Sequence, residues 1–357
     1  MAFINRLIQY RILIALWLVV IAVGFVGALL QFWQTLASST KLPSDITNNI
    51  EPPKIAQYQL EESADQPFYS AKSVWIYDRN SQEVLFADHA NTATAPASLV
   101  KLMTALVVYE NTDLDEIVKI GSAAAVPGNR AKFLPQDEFT VRDLLTAMLV
   151  FSANDAGEAL AKSVSSPTPF IDQMNHKAKQ LGLENTQFAN VTGLDDTAQF
   201  STAEDLGRLA DQFLDNPFLA TTVSQELAMV KELNTGRLDT IYTTNSLLQR
   251  GPEYLGIKTG TTDLAGQNLI FRYRSTWPVS ISSTEQDSEI LPTQPGLPST
   301  TSSKTNLYED NQSAELTQLK NLDLIVVILG SQDRYGDALN LIPWLQKSLR
   351  IQEFYVR

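Results

Sequence analysis

The alternation of apolar and polar positions divides the chain into unlike stretches. Ile12 to Trp33 is dominated by Leu, Ile, Val, Ala and Phe and carries no charged residue. At about 1.5 Å per residue it predicts a helix of roughly 33 Å, enough to cross a bilayer's apolar layer. Arg6 and Arg11 precede it and the next charge is Lys41, so the positive-inside rule leaves residues 1–11 in the cytoplasm and everything after the span outside it. A cleaved signal peptide is the competing reading. Its apolar core is normally shorter, but Leu36-Ala37-Ser38-Ser39 offers a small-residue cleavage site. Residues 34–67, with Pro43, Pro52, Pro53 and no sustained period, read as an extended linker.

From residue 68 to 357 the pattern is that of one folded domain. Ser73–Asp78 and Glu83–Ala87 alternate as strands across the turn Arg79–Gln82. A helix starts near Ser98, and helical spacing then dominates from Val141 to Leu214. Thr140-Val141-Arg142-Asp143 opens one helix, Asp155 to Val164 continues as another, and Pro169 to Leu181 ends at Gly182. Thr202-Ala203-Glu204-Asp205 predicts a capping box before Leu206, Leu209 and Phe213. Gln267–Tyr273 and Leu322–Gly330 read as strands, with a closing helix over about Gly336 to Ser348. Between those strands, residues 275–318 are rich in Ser, Thr, Gln and Pro; they predict a disordered insertion, because they cannot bury enough apolar surface to offset the entropy of ordering. Strands at both ends with helices between them predict an α+β fold.

Composition narrows the chemistry. A net charge of −13 over 357 residues, with no basic stripe, argues against a nucleic-acid partner. With no cysteine there is no disulfide, thiolate nucleophile or cysteine-ligated zinc. His89 and His176 are the only histidines and neither sits in a recognisable motif, so a His-rich metal site is not expected.

Against that background, Pro96-Ala97-Ser98-Leu99-Val100-Lys101 places a serine and a lysine three residues apart at the start of an apolar helix, on one face. A serine hydroxyl needs a neighbouring base to become a nucleophile. A lysine desolvated beside a second cation can lose its proton near neutral pH and serve as that base. Alone, such a pair is common on solvated helix starts. Here Ser152-Ala153-Asn154 follows one apolar run and Lys258-Thr259-Gly260 another, and the three patterns stand in the order seen in penicillin-interacting acyl-transfer enzymes.

Further blocks carry the likeness along most of the domain, about Ser73 to Leu345: Ser152-Ala153-Asn154-Asp155-Ala156, Asn190-Val191-Thr192-Gly193-Leu194-Asp195-Asp196, Ser201-Thr202-Ala203-Glu204-Asp205-Leu206, Thr244-Asn245-Ser246-Leu247-Leu248 and Gly256–Gly266. The chain resembles the D-alanyl-D-alanine carboxypeptidases, the low-molecular-weight penicillin-binding serine peptidases. That resemblance implies the penicillin-binding-protein/β-lactamase-like transpeptidase fold: an antiparallel sheet flanked by helices, plus an all-helical lobe, here preceded by one transmembrane helix. It implies Ser98 as nucleophile, Lys101 as its base, Ser152 as proton relay and Asn154 as the residue orienting substrate and Lys101. Lys258 and Thr259 would hold the substrate's terminal carboxylate, and Gly260 would let the substrate backbone lie along the strand. The N–H groups of Ser98 and Thr261 would form the oxyanion hole. Arg334, after the last strand, would join the carboxylate site, or else be a solvated arginine paired with Asp333 or Asp337.

The implied substrates are peptidoglycan peptides ending in D-Ala-D-Ala, with β-lactams as covalent inhibitors and no metal or cofactor. The implied location is the cell membrane, with the catalytic domain outside the cytoplasm. A β-lactamase would share the machinery, but no Glu-x-x-Leu-Asn element is visible and Ser-Ala-Asn replaces Ser-Asp-Asn. An endopeptidase acting on cross-links would use the same residues. An inactive wall-binding scaffold would not need Ser98, Lys101, Ser152, Asn154 and Lys258 intact.

Overall fold

The computed structural model describes residues 54–61, 65–281 and 316–355, together with Gln31 and Gln34 as helical positions. Apart from Gln31, the expected membrane span 12–33 lies outside the described residues. Among those described, no helix is long and apolar enough to cross a membrane.

In chain order the elements are β1 (Lys54–Leu60), β2 (Ser73–Asp78), β3 (Glu83–Asp88), α1 (Lys101–Asn111), β4 (Ile117–Lys119), β5 (Glu138–Thr140), α2 (Val141–Val150), α3 (Asn154–Val164), α4 (Pro167–Gln180), α5 (Ala203–Leu214) and α6 (Pro217–Val223). There follow β6 (Leu227–Lys231), β7 (Leu238–Tyr242), β8 (Tyr254–Thr262), β9 (Gly266–Ile281), β10 (Leu316–Ser331), α7 (Arg334–Ser348) and β11 (Leu349–Tyr355). Lys54–Tyr355 forms one compact unit.

Among the described residues one seven-stranded sheet runs β1-β11-β9-β10-β2-β3, and β8 pairs with β9. β9 is long enough to hold two partners on one edge: β8 along residues 266–273 and β11 at Ser280 and Ile281. Side chains alternate across the sheet, so β10 faces two cores. Ile325, Val327 and Leu329 pack with the helical lobe, alongside Trp75 of β2 and Ile270 of β9. Leu324, Val326 and Ile328 pack with Val74, Ile76 and Phe271 against Leu341 and Leu345 of α7. A strand buried on both faces reads as the unbroken apolar run Leu324–Leu329. Each fully buried side chain of this kind stabilises the fold by about 1.5–3 kcal/mol.

The helical lobe is built from α1 to α6. Thr140 caps α2 by accepting from the Asp143 N–H at 3.1 Å, and Thr202 caps α5 by accepting from the Asp205 N–H at 3.1 Å. The predicted capping box at Thr202 is only half formed. The buried Asp205 carboxylate turns to the neighbouring loop instead, accepting from the Asn185 N–H at 2.9 Å and the Thr186 hydroxyl at 2.7 Å.

Three expectations are corrected at the edges of the domain. The folded unit begins within the presumed linker, because β1 pairs antiparallel with β11, Lys54 opposite Tyr355. β1 is an edge strand and its partner lies some three hundred residues away, so no local pattern announces the pairing. The insertion is narrower than residues 275–318: β9 continues to Ile281 and β10 begins at Leu316, with Leu316 opposite Ile281. Trp277, buried in the core beneath α7, carries β9 past Tyr273. Residues 282–315 lie outside the described ones. Finally, the pairs β4–β5 and β6–β7, of three and five residues per strand, were not expected as strands.

Candidate active site

Ser98 lies in a 3-10 turn, Ala97–Val100, that runs directly into α1, so Lys101 is the first α-helical residue. This places Lys101 Nζ 2.9 Å from Ser98 Oγ and 2.5 Å from the Thr192 carbonyl, which accepts its hydrogen bond. Ser98 Oγ is itself 3.4 Å from that carbonyl. Lys101 is completely buried. Burial, and then the nearby Lys258 cation, pull its pKa well below the ordinary lysine range, against a smaller opposing effect of Glu158. The lone pair of a neutral amine at this distance can take the serine proton.

The carbonyl that holds Lys101 is aimed by a tight turn. Asn190 Oδ1 accepts from the Thr192 and Gly193 N–H groups, at 3.2 and 2.7 Å. Gly193 has φ +85°, and a Cβ there would stand 1.9 Å from the Ala97 carbonyl oxygen. Only glycine lets this turn rest on the turn that carries Ser98.

Ser152 and Asn154 sit at the break between α2 and α3. Ser152 takes φ +64°, an unfavourable conformation for a residue with a Cβ, and this splits what would otherwise be one long helix. Asn154 does not bond Lys101 as expected. Its Nδ2 donates to the Pro127 carbonyl at 2.7 Å, while its Oδ1 is buried without a hydrogen-bond partner. The Thr192 carbonyl has taken the role of lysine acceptor. Beside it, the buried Asp155 carboxylate accepts from the N–H groups of Ala131, Lys132 and Phe133 at 3.0, 2.9 and 3.2 Å, binding the loop that covers Asn154.

The third wall is β8. A bulge at Ile257 shifts its register against β9, so that Gly256 opposes Phe271 and Lys258 opposes Ile270. Lys258 thereby shares the face of Ile270, toward the helical lobe. Its Nζ donates to Ser152 Oγ and to the Thr259 carbonyl, both at 2.9 Å. Burial, and then the Arg334 cation, lower its pKa to about 7. The Thr259 hydroxyl lies 2.7 Å from that of Thr244. Thr261, at the exposed end of the strand, pairs with Gln267.

Gly260 also serves the protein's own packing. A Cβ there would stand 2.9 Å from both Ala97 Cβ and the Ser98 nitrogen, so the missing side chain makes room for the turn that carries Ser98.

Arg334 begins α7. It is paired with neither neighbouring aspartate: Asp333 caps the helix by accepting from Gly336, and Asp337 accepts from Ser70 and Ser331. Arg334 instead donates through one terminal nitrogen to the carbonyls of Gly260 and Asn268, at 2.8 and 2.9 Å, and its Nε is buried without a partner. Lys258 and Arg334 thus keep unspent donors and Asn154 an unspent Oδ1, an arrangement suited to an anionic, amide-bearing ligand. Thr192, Thr244 and Asn268 contribute through carbonyls, hydroxyls or bonds to neighbouring strands. A backbone carbonyl leaves no mark in a sequence; only the Asn190–Gly193 turn and its glycine hinted at the first.

A family model described as D-alanyl-D-alanine carboxypeptidase matches residues 60–277, more than half of the chain. The D-alanyl-D-alanine carboxypeptidase DacF of Bacillus subtilis is 35% identical over 201 residues, 54% of this chain and 51% of that protein. DacC of Escherichia coli is 35% identical over 235 residues, 60% of this chain and 56% of its own. The chain therefore spans about half the length of these curated relatives. The crystal structure of the Streptomyces K15 DD-transpeptidase superposes with a TM-score of 0.61 at 25% identity, covering 78% of this chain and 98% of that one. The sheet with its helical lobe, the converging lysines and the matched span together place this chain in the D-alanyl-D-alanine carboxypeptidase family, peptidase S11.

Proposed function

We propose that this chain is a serine-type D-Ala-D-Ala carboxypeptidase that removes the terminal D-alanine from peptidoglycan stem peptides through a Ser98 acyl-enzyme and binds penicillin covalently. The observation that carries the reading is the 2.9 Å approach of a fully buried Lys101 amine to Ser98 Oγ. Ser98 Oγ attacks the carbonyl of the penultimate D-alanine as its proton passes to Lys101. The oxyanion is received by the Ser98 and Thr261 N–H groups; a preorganised donor of this kind contributes about 3–4 kcal/mol. The C–N bond then breaks, and the departing D-alanine amine takes a proton relayed through Ser152, whose hydroxyl Lys258 holds. Water attacks the ester by the reverse path and frees Ser98. Lys258, Thr259 and Arg334 hold the substrate's terminal carboxylate, and Asn154 Oδ1 accepts from a substrate amide.

The segment Ile12–Trp33, uncharged and preceded by Arg6 and Arg11, anchors the enzyme in the cell membrane with the catalytic domain outside the cytoplasm. The test of function is release of free D-alanine from a pentapeptide ending in D-Ala-D-Ala, together with labelling by a fluorescent penicillin. Ser98→Ala should abolish both and leave the thermal transition nearly unchanged. Labelling that survives Ser98→Ala would reject the assignment.

A further inference from the structure

Two unrelated pieces of chain meet at the carboxylate end of the site: the segment after β7, Thr243 to Ser246, and the first turn of α7. One side chain, Tyr335, joins them. Its hydroxyl donates to the Thr244 carbonyl at 2.8 Å and accepts from the Ser246 N–H at 3.3 Å. Its ring lies 5.4 Å from the guanidinium carbon of Arg334, within the range in which an aromatic face attracts a cation. The Thr244 hydroxyl, carried by the segment Tyr335 holds, sits 2.7 Å from the Thr259 hydroxyl. Arg334 is already committed at one terminal nitrogen to Gly260 and Asn268, so a ring on its face leaves the guanidinium oriented, with its Nε unspent.

We propose that Tyr335 is a positioning residue that locks the Thr244–Thr259 hydroxyl pair and the Arg334 guanidinium into one carboxylate-reading unit. It thereby sets the preference for a peptide with a free terminal carboxylate over one whose terminus is amidated or extended. This rests on the carboxypeptidase reading given above. The physical basis is that a planar guanidinium and a hydroxyl donor recognise a carboxylate only when their relative geometry is held. Without the phenol, Thr244 and Ser246 lose their tie to the helix that carries Arg334. Both groups lie near solvent, where water replaces the lost bonds, so the fold should be little affected.

Tyr335 also packs against the core beneath α7. Tyr335→Phe keeps that packing and the ring over Arg334 and removes only the hydroxyl; Tyr335→Ala removes all three. Steady-state kinetics on the free-acid pentapeptide, with its C-terminal amide measured as a competitor, separates the roles. Tyr335→Phe should raise KM for the free acid about three- to tenfold, with kcat within about twofold of wild type, as expected for a lost binding interaction. The amide's inhibition constant should not move, nor should Tm. Tyr335→Ala should weaken the free acid further. An unchanged KM in Tyr335→Phe, or equal weakening of acid and amide, overturns the proposal while wild-type turnover leaves the carboxypeptidase reading intact. A wild-type chain that neither releases D-alanine nor takes up a fluorescent penicillin rejects that reading, and the role of Tyr335 with it.

Discussion

Gly260 and Ser98 approach so closely that a Cβ on the glycine would stand 2.9 Å from the Ser98 backbone nitrogen. The neighbours are backbone and the short Ala97 side chain, which cannot swing aside. Gly260→Ala must therefore push the Ser98 turn and β8 apart. Misplacement of reacting groups on this scale slows chemistry up to about a hundredfold, and overpacking destabilises by about 1–3 kcal/mol. Acylation by a fluorescent penicillin should fall about ten- to a hundredfold, with a lower unfolding midpoint. Acylation at the wild-type rate would show that the turn can yield.

Protonation should divide kcat/KM from kcat. The proposed mechanism needs Lys101 neutral and Lys258 charged, and the free protein holds Lys258 at about 7. kcat/KM, which reports the free enzyme, should therefore fall as pH rises above about 7. A bound carboxylate favours the charged lysine, so the fall in kcat should come at higher pH. Stability follows the same lysine with a definite sign. Between about 7 and 10.5 the unfolded Lys258 binds a proton that the folded one does not, so stability rises with pH across that window. Denaturant titrations of Lys258→Met should show a flatter rise; an identical slope would contradict the depressed lysine.

Arg334 braces β8 and β9 and, in the proposed function, also holds the substrate carboxylate, so its variants should show both effects. Arg334→Ala should lower kcat/KM on the free-acid pentapeptide by roughly ten- to a hundredfold, about 1.4–2.7 kcal/mol. A smaller loss should persist in acylation by a substrate whose terminus is amidated, because the Gly260 and Asn268 carbonyls also lose their donor. Equal losses on both substrates would reduce Arg334 to a buttress of β8.

Asp155 should be a stability determinant beside the site. Its buried carboxylate accepts from three successive backbone N–H groups of the loop that covers Asn154. Asp155→Asn exchanges one acceptor oxygen for a donor of nearly the same shape. Chemical denaturation should register a loss of about 2–3 kcal/mol, and protease should cut between residues 127 and 133 more readily. Unchanged protection there would remove Asp155 from this role.

The β9–β10 hairpin should tolerate a shorter connection. Leu316 pairs directly with Ile281, so deleting residues 282–315 and joining the strands with a tight turn keeps every described pair. Loop length affects stability by only about 0.6 kcal/mol per doubling. Penicillin labelling and the unfolding midpoint should stay close to those of the full chain; loss of folding would show that the deleted segment supports the sheet.

Much of this protein was legible in its sequence because the signals are local. The i, i+3 spacing of Ser98 and Lys101, the Thr140 and Thr202 caps and the two-faced apolar run of β10 each follow from a few consecutive residues. So did the membership implied by Ser152-Ala153-Asn154 and Lys258-Thr259-Gly260, since short motifs in a fixed order survive without knowledge of contacts. Tertiary structure decided whatever depends on groups distant in the chain. The acceptor for Lys101 proved to be the carbonyl of Thr192 rather than the amide of Asn154, and a carbonyl is the same in every residue. Gly260 proved to clear space for Ser98, and Arg334 to grip β8 rather than a neighbouring aspartate. β1 became a strand only by meeting β11, which in turn rests on β9. Periodicity and motif order report what a segment can do; which partner it finds is fixed by packing, where burial, close approach and the need to satisfy each buried donor select one arrangement.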